Sequence, residues 1–268
     1  MSGFYGMWHG ASGLKEIARK INILTGVLEK EAAKYGYKQY NKHYFDTLCF
    51  EVPQGVKIED VKRIALENKV NFCYWCDTCF TISLDETVVL EDVNLILSIL
   101  AKAANKDFTP FVCNCACPTT IPSQFERKSL FMQQDIFTKY HSETEMMRYM
   151  KKLELKDLSL NRAMIPLGSC TMKLNAAAEM LPLSWPEAGA IHPYVPKDQA
   201  EGYLEMISEM SEWLCKISGF KAISFQPNSG AAGEYAGLTV IRKYHHSRGE
   251  SHRNICLIPA SAHGTNPA

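Results

Sequence analysis

The segment from residue 222 to residue 258 constrains the fold of this chain more than any other. It has the pattern of a strand at 222–226, a glycine-containing turn at 227–233, a helix that ends near His246 and a second strand at 254–258. This order predicts a βαβ unit, in which the two strands are parallel and the crossover is right-handed. Parallel sheets are covered by helices on both faces, so the segment predicts an α/β architecture for the second half of the chain.

The turn before this helix has the residues of an anion site. The first amides of a helix lack backbone partners and lie at the positive end of the helix dipole, so they can bind a phosphate. Gly230 lets the backbone approach a ligand, and Ser229 adds a hydroxyl donor. A simple helix cap would use the same residues, and both interpretations stay open. The turn matches neither a Walker loop nor a Gly-x-Gly-x-x-Gly dinucleotide turn.

A polar loop follows the second predicted strand. It contains His263, Thr265 and Asn266. Open α/β sheets bind ligands at the carboxyl ends of their strands, which makes this loop a candidate binding site. The alternative for His263 is a structural histidine whose ring is satisfied by hydrogen bonds.

Charge and hydropathy exclude several classes of protein. The 29 Lys and Arg residues balance the 29 Asp and Glu residues, so the basic signature of proteins that bind nucleic acid or anionic membranes is missing. No apolar run approaches the roughly 18 residues of a membrane span, and residues 1–13 resemble neither a secretory signal nor a transit peptide. A hydrophobic content of 46% over 268 residues predicts a packed globular protein of one or two domains.

Residues 12–104 are predicted to form a small α+β unit. Its first helix, 12–36, has Ser12 as its N-cap and Gly36 in the left-handed position after its end. Hydrophobic periodicity then predicts a strand at 44–52, a short helix at 59–69, a pair of strands around 73–84, and a helix that contains Val93, Ile96, Leu97 and Leu100.

Residues 105–140 are predicted to be a proline-rich connecting loop. The helix predicted at 141–156 begins with a capping box between Ser142 and Glu145. The other predictions are functional loops at 164–175 and 183–196 and a helix at 198–218 that ends at Gly219.

Ten cysteines are present, six of them in two clusters: Cys73, Cys76 and Cys79, and Cys113, Cys115 and Cys117. Without a secretory signal, a disulfide framework is not expected. The two-residue gaps of the first cluster would let thiolates converge on a metal ion, whereas a strand would direct alternate side chains to opposite faces. Buried or free thiols are therefore favoured, no metal site is predicted, and a small metal or redox protein is kept as an alternative.

Four motifs make the chain similar to the glycine cleavage system P-protein family, which is also called glycine decarboxylase. The similarity is nearly free of gaps over 140–268 and weaker but persistent upstream, in HYFDTL, ISLDET and IPSQFERKS. The motifs are MIPLGSCTMKLN, IHPYVP, QPNSGAAGEYAGL and CLIPASAHGTNPA.

The resemblance implies an α/β fold of the aminotransferase type (fold type I), built from two homologous halves and dependent on pyridoxal phosphate. Residues 1–135 would be the end of the first, lysine-free half, including the α+β small domain at about 12–104. Residues 136–268 would open the second, catalytic half, with the βαβ unit of a parallel-sheet large domain.

The resemblance also implies roles for individual residues. Residues that would bind the cofactor are Ser229, Gly230 and Ala231 at its phosphate, His263 stacked on its ring, and Thr265 and Asn266 at the border of the cleft. Residues that would lie at the entrance used by glycine and the lipoyl arm are Ser169, Cys170, Thr171 and His192.

The activity implied is oxidative decarboxylation of glycine, with transfer of its aminomethyl group to the lipoyl arm of H-protein. Partners would be glycine, lipoylated H-protein and the other glycine cleavage proteins, in a homodimer or two-half assembly, with no nucleic acid and no membrane. The compartment would be the mitochondrial matrix in a eukaryote and the cytoplasm in a bacterium. A non-catalytic binding or regulatory fragment of the same complex is the alternative.

The residues that complete the chemistry in this family are missing. The family places its Schiff-base lysine in a His-Lys-Thr segment and its ring-nitrogen carboxylate in an Asp-Gly-Ala segment, and the chain contains neither a His-Lys nor an Asp-Gly dipeptide. We therefore expect an internal fragment that is inactive alone. Expressed by itself, it should aggregate or stay partly molten and show no visible absorption band with pyridoxal phosphate.

Overall fold

A computed structural model of the chain describes residues 1–112, 117–162 and 176–262. The chain divides into two compact units, Met1–Asp157 and Leu158–Ala268. The helices of the first unit are α1 (Ser2–Lys34), α2 (Ile58–Glu67), α3 (Leu90–Ala103), α4 (Ile136–Lys139) and α5 (Glu143–Glu154), and its strands are β1 (Lys38–Gln39), β2 (Thr47–Glu51), β3 (Cys73–Cys76) and β4 (Cys79–Ser83). The helices of the second unit are α6 (Ala177–Met180), α7 (Pro186–Gly189), α8 (Glu201–Ser218) and α9 (Gly230–Ser247), with 3-10 turns at Leu181–Ser184 and Lys197–Gln199.

The four strands form one antiparallel sheet in the order β1-β2-β4-β3. Leu48 and Phe50 of β2 lie opposite Ile82 and Phe80 of β4, and all four side chains are buried, because alternate residues of a strand face the same side. The strand predicted at 44–52, the strand pair around 73–84, the helix predicted at 59–69 and the helix predicted to contain Val93 are confirmed.

The core of the first unit is one hydrophobic cluster with residues from α1, α2, α3, β2 and β4. At its centre the ring of Phe80 lies 5.8 Å from the ring of Phe50 and 5.9 Å from that of Tyr37. The Tyr37 hydroxyl donates a hydrogen bond to the Leu100 carbonyl at 3.1 Å, and burial raises the Tyr37 pKa. The sheet is therefore covered on one face by helices, as an α+β unit requires.

The first helix starts earlier than predicted. It begins at Ser2, so Ser12 lies inside it and is not its N-cap. A break occurs at Gly10, whose φ of 62° and ψ of −177° are accessible almost only to glycine. A Cβ added at Gly10 would lie 2.7 Å from the Phe137 carbonyl oxygen, so the glycine also permits close packing of α1 against α4. The predicted left-handed position after the helix is confirmed at Gly36, with φ of 97°.

Replacing Gly10 with alanine is expected to destabilise the first unit. The backbone conformation alone costs about 1–3 kcal/mol for a residue with a Cβ, and the close carbonyl adds to it. Gly3→Ala is the matched control, because that glycine lies in the same helix with no atom within 4 Å of the added Cβ. Urea unfolding followed by circular dichroism measures both variants, and equal stability of the two would contradict the strained conformation at Gly10.

The loop that follows α3 is fixed by a buried asparagine. The Asn22 amide donates to the Phe45 carbonyl at 2.9 Å, and its oxygen accepts from the Thr120 backbone N–H at 2.7 Å. Further along, Ser142 is confirmed as the N-cap of the next helix, because its hydroxyl accepts from the Glu145 N–H at 3.3 Å. The Glu145 carboxylate accepts from the Ser142 hydroxyl at 2.9 Å, whereas the predicted capping box would direct it to the Ser142 backbone N–H.

The second unit confirms the predicted helices but not the predicted strands. Its helix α8 ends at Gly219, whose φ is 76°, as expected. The segments 222–226 and 254–258 pair with no strand in the described part of the chain, so the parallel βαβ unit is not formed there. A parallel strand depends on a hydrogen-bonded neighbour, and the described residues supply none. Accordingly, Ile255 and Leu257 are 84% and 91% exposed.

None of the described helices combines the length and the apolar character that a membrane span requires.

The division after Asp157 separates two units that are each compact. The boundary predicted at 135/136 separates homologous halves, which is a different kind of boundary, and it stays a prediction.

Candidate functional site

The beginning of α9 carries three of the residues implied by the motifs. Ser229 is the N-cap, in an extended conformation, and its hydroxyl accepts a hydrogen bond from the Ala232 N–H at 3.2 Å. The Ser229 carbonyl accepts from the Gly233 N–H at 3.0 Å, as in a regular first turn. The amides of Gly230 and Ala231, the first two of the helix, have no acceptor within the helix.

The electrostatics of this turn favour an anion. Its first turn contains no acidic residue, and Ser229, Gly230 and Ala231 are all exposed. The positive end of the helix dipole is therefore not neutralised by a neighbouring carboxylate within the turn. Since the Ser229 hydroxyl accepts one bond through a lone pair, its own hydrogen can still be donated. Two amides and one hydroxyl are thus available to a phosphate group.

A cleft of about 370 Å³ contains His192. The Tyr194 backbone N–H donates to His192 Nδ1 at 3.0 Å, which leaves the neutral ring with its proton on Nε2. The Tyr203 hydroxyl donates to the Ala188 carbonyl, so it positions one wall of the cleft. The other lining residues are Ile191, Pro193, Val195, Lys197, Ala200 and Leu204. A mostly apolar cleft with one cation and one ring donor is suited to a small ligand that carries a polar end.

The remaining implied site residues lie outside the described part of the chain. They are Ser169, Cys170 and Thr171 of the entrance loop, and His263, Thr265 and Asn266 of the polar loop. Their roles stay predictions. The role of Ser229, Gly230 and Ala231 at a phosphate is also a prediction, although the cap geometry provides the donors that it needs.

The structure describes only some of the clustered cysteines. Cys73 and Cys76 lie on β3 and Cys79 on β4, whereas Cys113 and Cys115 fall outside the described residues. Within 1–112, 117–162 and 176–262, no three His, Cys, Asp or Glu side chains are grouped so that they could hold a metal ion. Sequence reasoning missed that Cys76 and Cys79 face each other across a hairpin, although their two-residue spacing was a signal for it.

Comparison with known proteins identifies the family. The family model described as Glycine cleavage system P-protein matches residues 1–100. Proteins named glycine dehydrogenase (decarboxylating) are similar to the whole chain: 53% identical over 268 residues in Bacteroides thetaiotaomicron, 49% over 268 residues in Flavobacterium johnsoniae and 48% over 273 residues in Idiomarina loihiensis. The chain spans 28% of the length of each of these relatives.

The similarity extends over both compact units, because each of these alignments includes all of the chain. Identity of about one residue in two over this length indicates common descent and not a shared local motif. The chain belongs to the glycine cleavage system P-protein family.

Proposed function

We propose that the chain forms part of a glycine dehydrogenase (decarboxylating) in which the start of α9 binds the phosphate of pyridoxal phosphate. One observation carries the proposal. The Ser229-capped turn presents two amides and a hydroxyl, with no acidic residue in the first turn of the helix, within a chain that is 53% identical over 268 residues to a protein of that name.

The donor set fits the cofactor. A phosphate dianion requires several N–H or O–H donors and no adjacent negative charge, and a glycine at the first helical position keeps the approach open. Gly230 occupies that first position, and the first turn has no acidic residue. The cofactor that fits would supply the electron sink for loss of the substrate carboxylate.

The residues of the chain would bind and orient the reactants. The Gly230 and Ala231 amides and the Ser229 hydroxyl would hold the phosphate. His263 would stack on the pyridine ring, with Thr265 and Asn266 at the border of the cleft. These three roles are carried over from the family motif CLIPASAHGTNPA.

Glycine and the lipoyl arm of H-protein would reach the site past Ser169, Cys170 and Thr171. His192 would lie at the edge of this access route, where the hydrogen bond from Tyr194 fixes its ring as an Nε2–H donor. The arm would receive the aminomethyl group of glycine. The whole protein would work as a homodimer or a two-half assembly, and the bacterial relatives favour a cytoplasmic location over the mitochondrial matrix.

The lysine that holds the cofactor would come from another part of the complete protein, since the chain has no His-Lys-Thr segment. The proposal is therefore tested in a full-length context. The 268-residue chain replaces the matching segment of the Bacteroides thetaiotaomicron relative, to which it aligns over 268 residues. The chimera should bind pyridoxal phosphate and release carbon dioxide from glycine when lipoylated H-protein is present. A folded chimera that binds H-protein but not the cofactor would instead support the non-catalytic alternative.

Ser229→Ala in this chimera is expected to weaken binding of pyridoxal phosphate by roughly 10- to 100-fold, since a hydrogen bond to a charged group contributes about 1.5–3 kcal/mol. Pyridoxal, which lacks the phosphate, should bind with equal affinity to the Ser229→Ala variant and to the unsubstituted chimera. Ser211→Ala is the matched control, because the Ser211 hydroxyl donates only within α8, to the Ile207 carbonyl at 2.7 Å. Equal affinities for pyridoxal phosphate in the two variants would contradict the assignment of Ser229.

A further inference from the structure

The outer face of the sheet in the first unit carries several thiols. Cys49 and Cys79 alternate along their strands with buried residues and so lie on the side away from the core. Cys73 is exposed and lies opposite Thr81, which is on the same side of β4 as Cys79. Cys76 follows a bulge in β3 and lies directly opposite Cys79 in the register. Cys49 and Cys73 lie opposite Thr81, so Cys76 and Cys79 are the directly opposed cysteines of the described sheet.

The geometry of the hairpin permits a covalent bond between these two thiols. Cys76 and Cys79 are the first and last residues of a two-residue hairpin turn through Asp77 and Thr78. Such positions have Cα atoms less than about 7 Å apart, and directly opposed residues of antiparallel strands are separated by about 4.5–5.5 Å. Disulfides span about 4.4–6.8 Å between Cα atoms, so the backbone already has the required spacing.

A shared hydroxyl connects the two sulfurs. The Thr78 Oγ1 lies 3.5 Å from Cys76 Sγ and 3.6 Å from Cys79 Sγ. Hydrogen bonds from the Thr78 side chain and backbone, and then from Cys79, lower the pKa of Cys76. The Thr78 hydroxyl by itself would also lower the pKa of Cys79. There, however, the hydrogen bond with Cys76, burial and the charges of Cys76 and Cys49 outweigh it and raise that pKa.

We propose that Cys76 and Cys79 form a redox-active dithiol that is oxidised to an intramolecular disulfide by low-molecular-weight disulfides such as oxidised glutathione. The Cys76 thiolate attacks one sulfur of the oxidant, forming a mixed disulfide and releasing one glutathione thiolate. Cys79, after losing its proton, attacks Cys76 Sγ and releases the second glutathione. Two protein thiols and one small disulfide become one protein disulfide and two small thiols, so atoms and electrons balance.

The roles of the two thiols follow from their positions. Cys76 is exposed, whereas Cys79 is half-buried beside Cys49. The oxidant therefore reaches Cys76 first, and the lowered pKa of Cys76 provides the thiolate that reacts. Cys79, held across the hairpin, is in place to resolve the mixed disulfide.

Mass spectrometry of the oxidised full-length chimera tests the proposal, since the 268-residue chain by itself is expected to aggregate or stay partly molten. The chimera is equilibrated in glutathione buffers of increasing oxidised fraction, quenched in acid, blocked with N-ethylmaleimide and digested with chymotrypsin. Cleavage after Trp75 and Phe80 isolates residues 76–80, which contain Cys76 and Cys79 and no other cysteine. The expected product at high oxidised fraction is this peptide, unblocked and lighter by two hydrogen atoms than the dithiol. Blocking of both cysteines throughout the series, or a bond from Cys79 to Cys49, would overturn the proposal.

Variants assign the attacking and the resolving thiol. Cys79→Ser should trap glutathione on Cys76, whereas Cys76→Ser should leave Cys79 largely unmodified. Cys73→Ser is the matched control on the same hairpin and should leave the disulfide unchanged, because Cys73 lies opposite Thr81. Circular dichroism checks that each variant is folded. If a variant does not fold, the result for the protein without substitutions still decides the proposal. Glutathione trapped on Cys79 in Cys76→Ser, together with an unmodified Cys76 in Cys79→Ser, would overturn the assigned order of attack.

Thr78→Val tests the shared hydroxyl. The replacement keeps the branched shape and removes the hydrogen bond that contributes most to the lowered pKa of Cys76. The pH at which Cys76 is half-alkylated by iodoacetamide in a fixed time should therefore move upward in the variant. An unchanged alkylation profile would remove the explanation for the order of attack.

Discussion

Ala231→Glu is expected to abolish binding of pyridoxal phosphate to the chimera while leaving α9 intact. Ala231 is the second residue of the helix and is exposed, so a longer side chain can be accommodated in solvent. A carboxylate within about 5 Å of a phosphate dianion costs about 3 kcal/mol or more even with substantial screening by water, which is at least roughly 100-fold in affinity. The same carboxylate stabilises the helix by about 0.3–1 kcal/mol, because it lies at the positive end of the dipole.

The two effects have opposite signs, which separates a binding site from a simple helix cap. If the turn is only a cap, Ala231→Glu raises stability and leaves affinity for the cofactor unchanged. Ala231→Gln is the matched control, since it has nearly the same size without the charge. Isothermal titration with pyridoxal phosphate and with pyridoxal measures the contribution of the phosphate directly. Equal loss of affinity for both ligands would mean that the substitution disturbs something other than phosphate binding.

Local signals in the sequence predicted most of the longer helices and their caps, although the predicted N-cap Ser12 lies inside α1. Ser229, Ser142 and Gly219 each lie where they were expected, because a cap depends on a few neighbouring residues and a helix on its own periodicity. The strands β2, β3 and β4 were also predicted, since β3 and β4 are joined by a short hairpin and β2 and β4 have alternating apolar residues. The two-residue strand β1 was not predicted.

Features that depend on distant partners were not predictable in the same way. The pattern of 222–226 and 254–258 favours strands, but a strand forms only against a hydrogen-bonded neighbour that the pattern does not contain. The break at Gly10 was missed because apolar periodicity gives no indication of a φ of 62°. The contacts around Gly10 involve Phe137, far away in the chain.

The candidate site also combines features set by the local sequence with features that depend on distant residues. The motif around Ser229 is local, and its cap geometry was foreseeable. The cleft around His192 combines a loop with the first turns of α8, so its lining could not be read from either segment alone. The pairing of Cys76 with Cys79 required the register of β3 against β4, including the bulge that precedes Cys76.

Phe80→Ala is expected to produce the largest loss of stability in the first unit. The side chain is fully buried, and its ring lies within 6.5 Å of the rings of Phe50, Phe72, Tyr37 and Tyr74. Removing a buried phenyl ring costs about 3–5 kcal/mol, through lost transfer energy and the cavity that remains. The lost aromatic pairs contribute to the upper part of this range.

Phe125→Ala is the matched control for this substitution. The Phe125 side chain is 61% exposed and has one ring contact, with His43 at 5.5 Å, so its loss should cost less than about 1 kcal/mol. Urea unfolding monitored by circular dichroism measures both variants. Because Phe80 lies between Cys79 and Thr81 on β4, the same variant should also weaken the hairpin that holds Cys76 opposite Cys79. Similar costs for the two phenylalanines would mean that the aromatic cluster does not form the core of this unit.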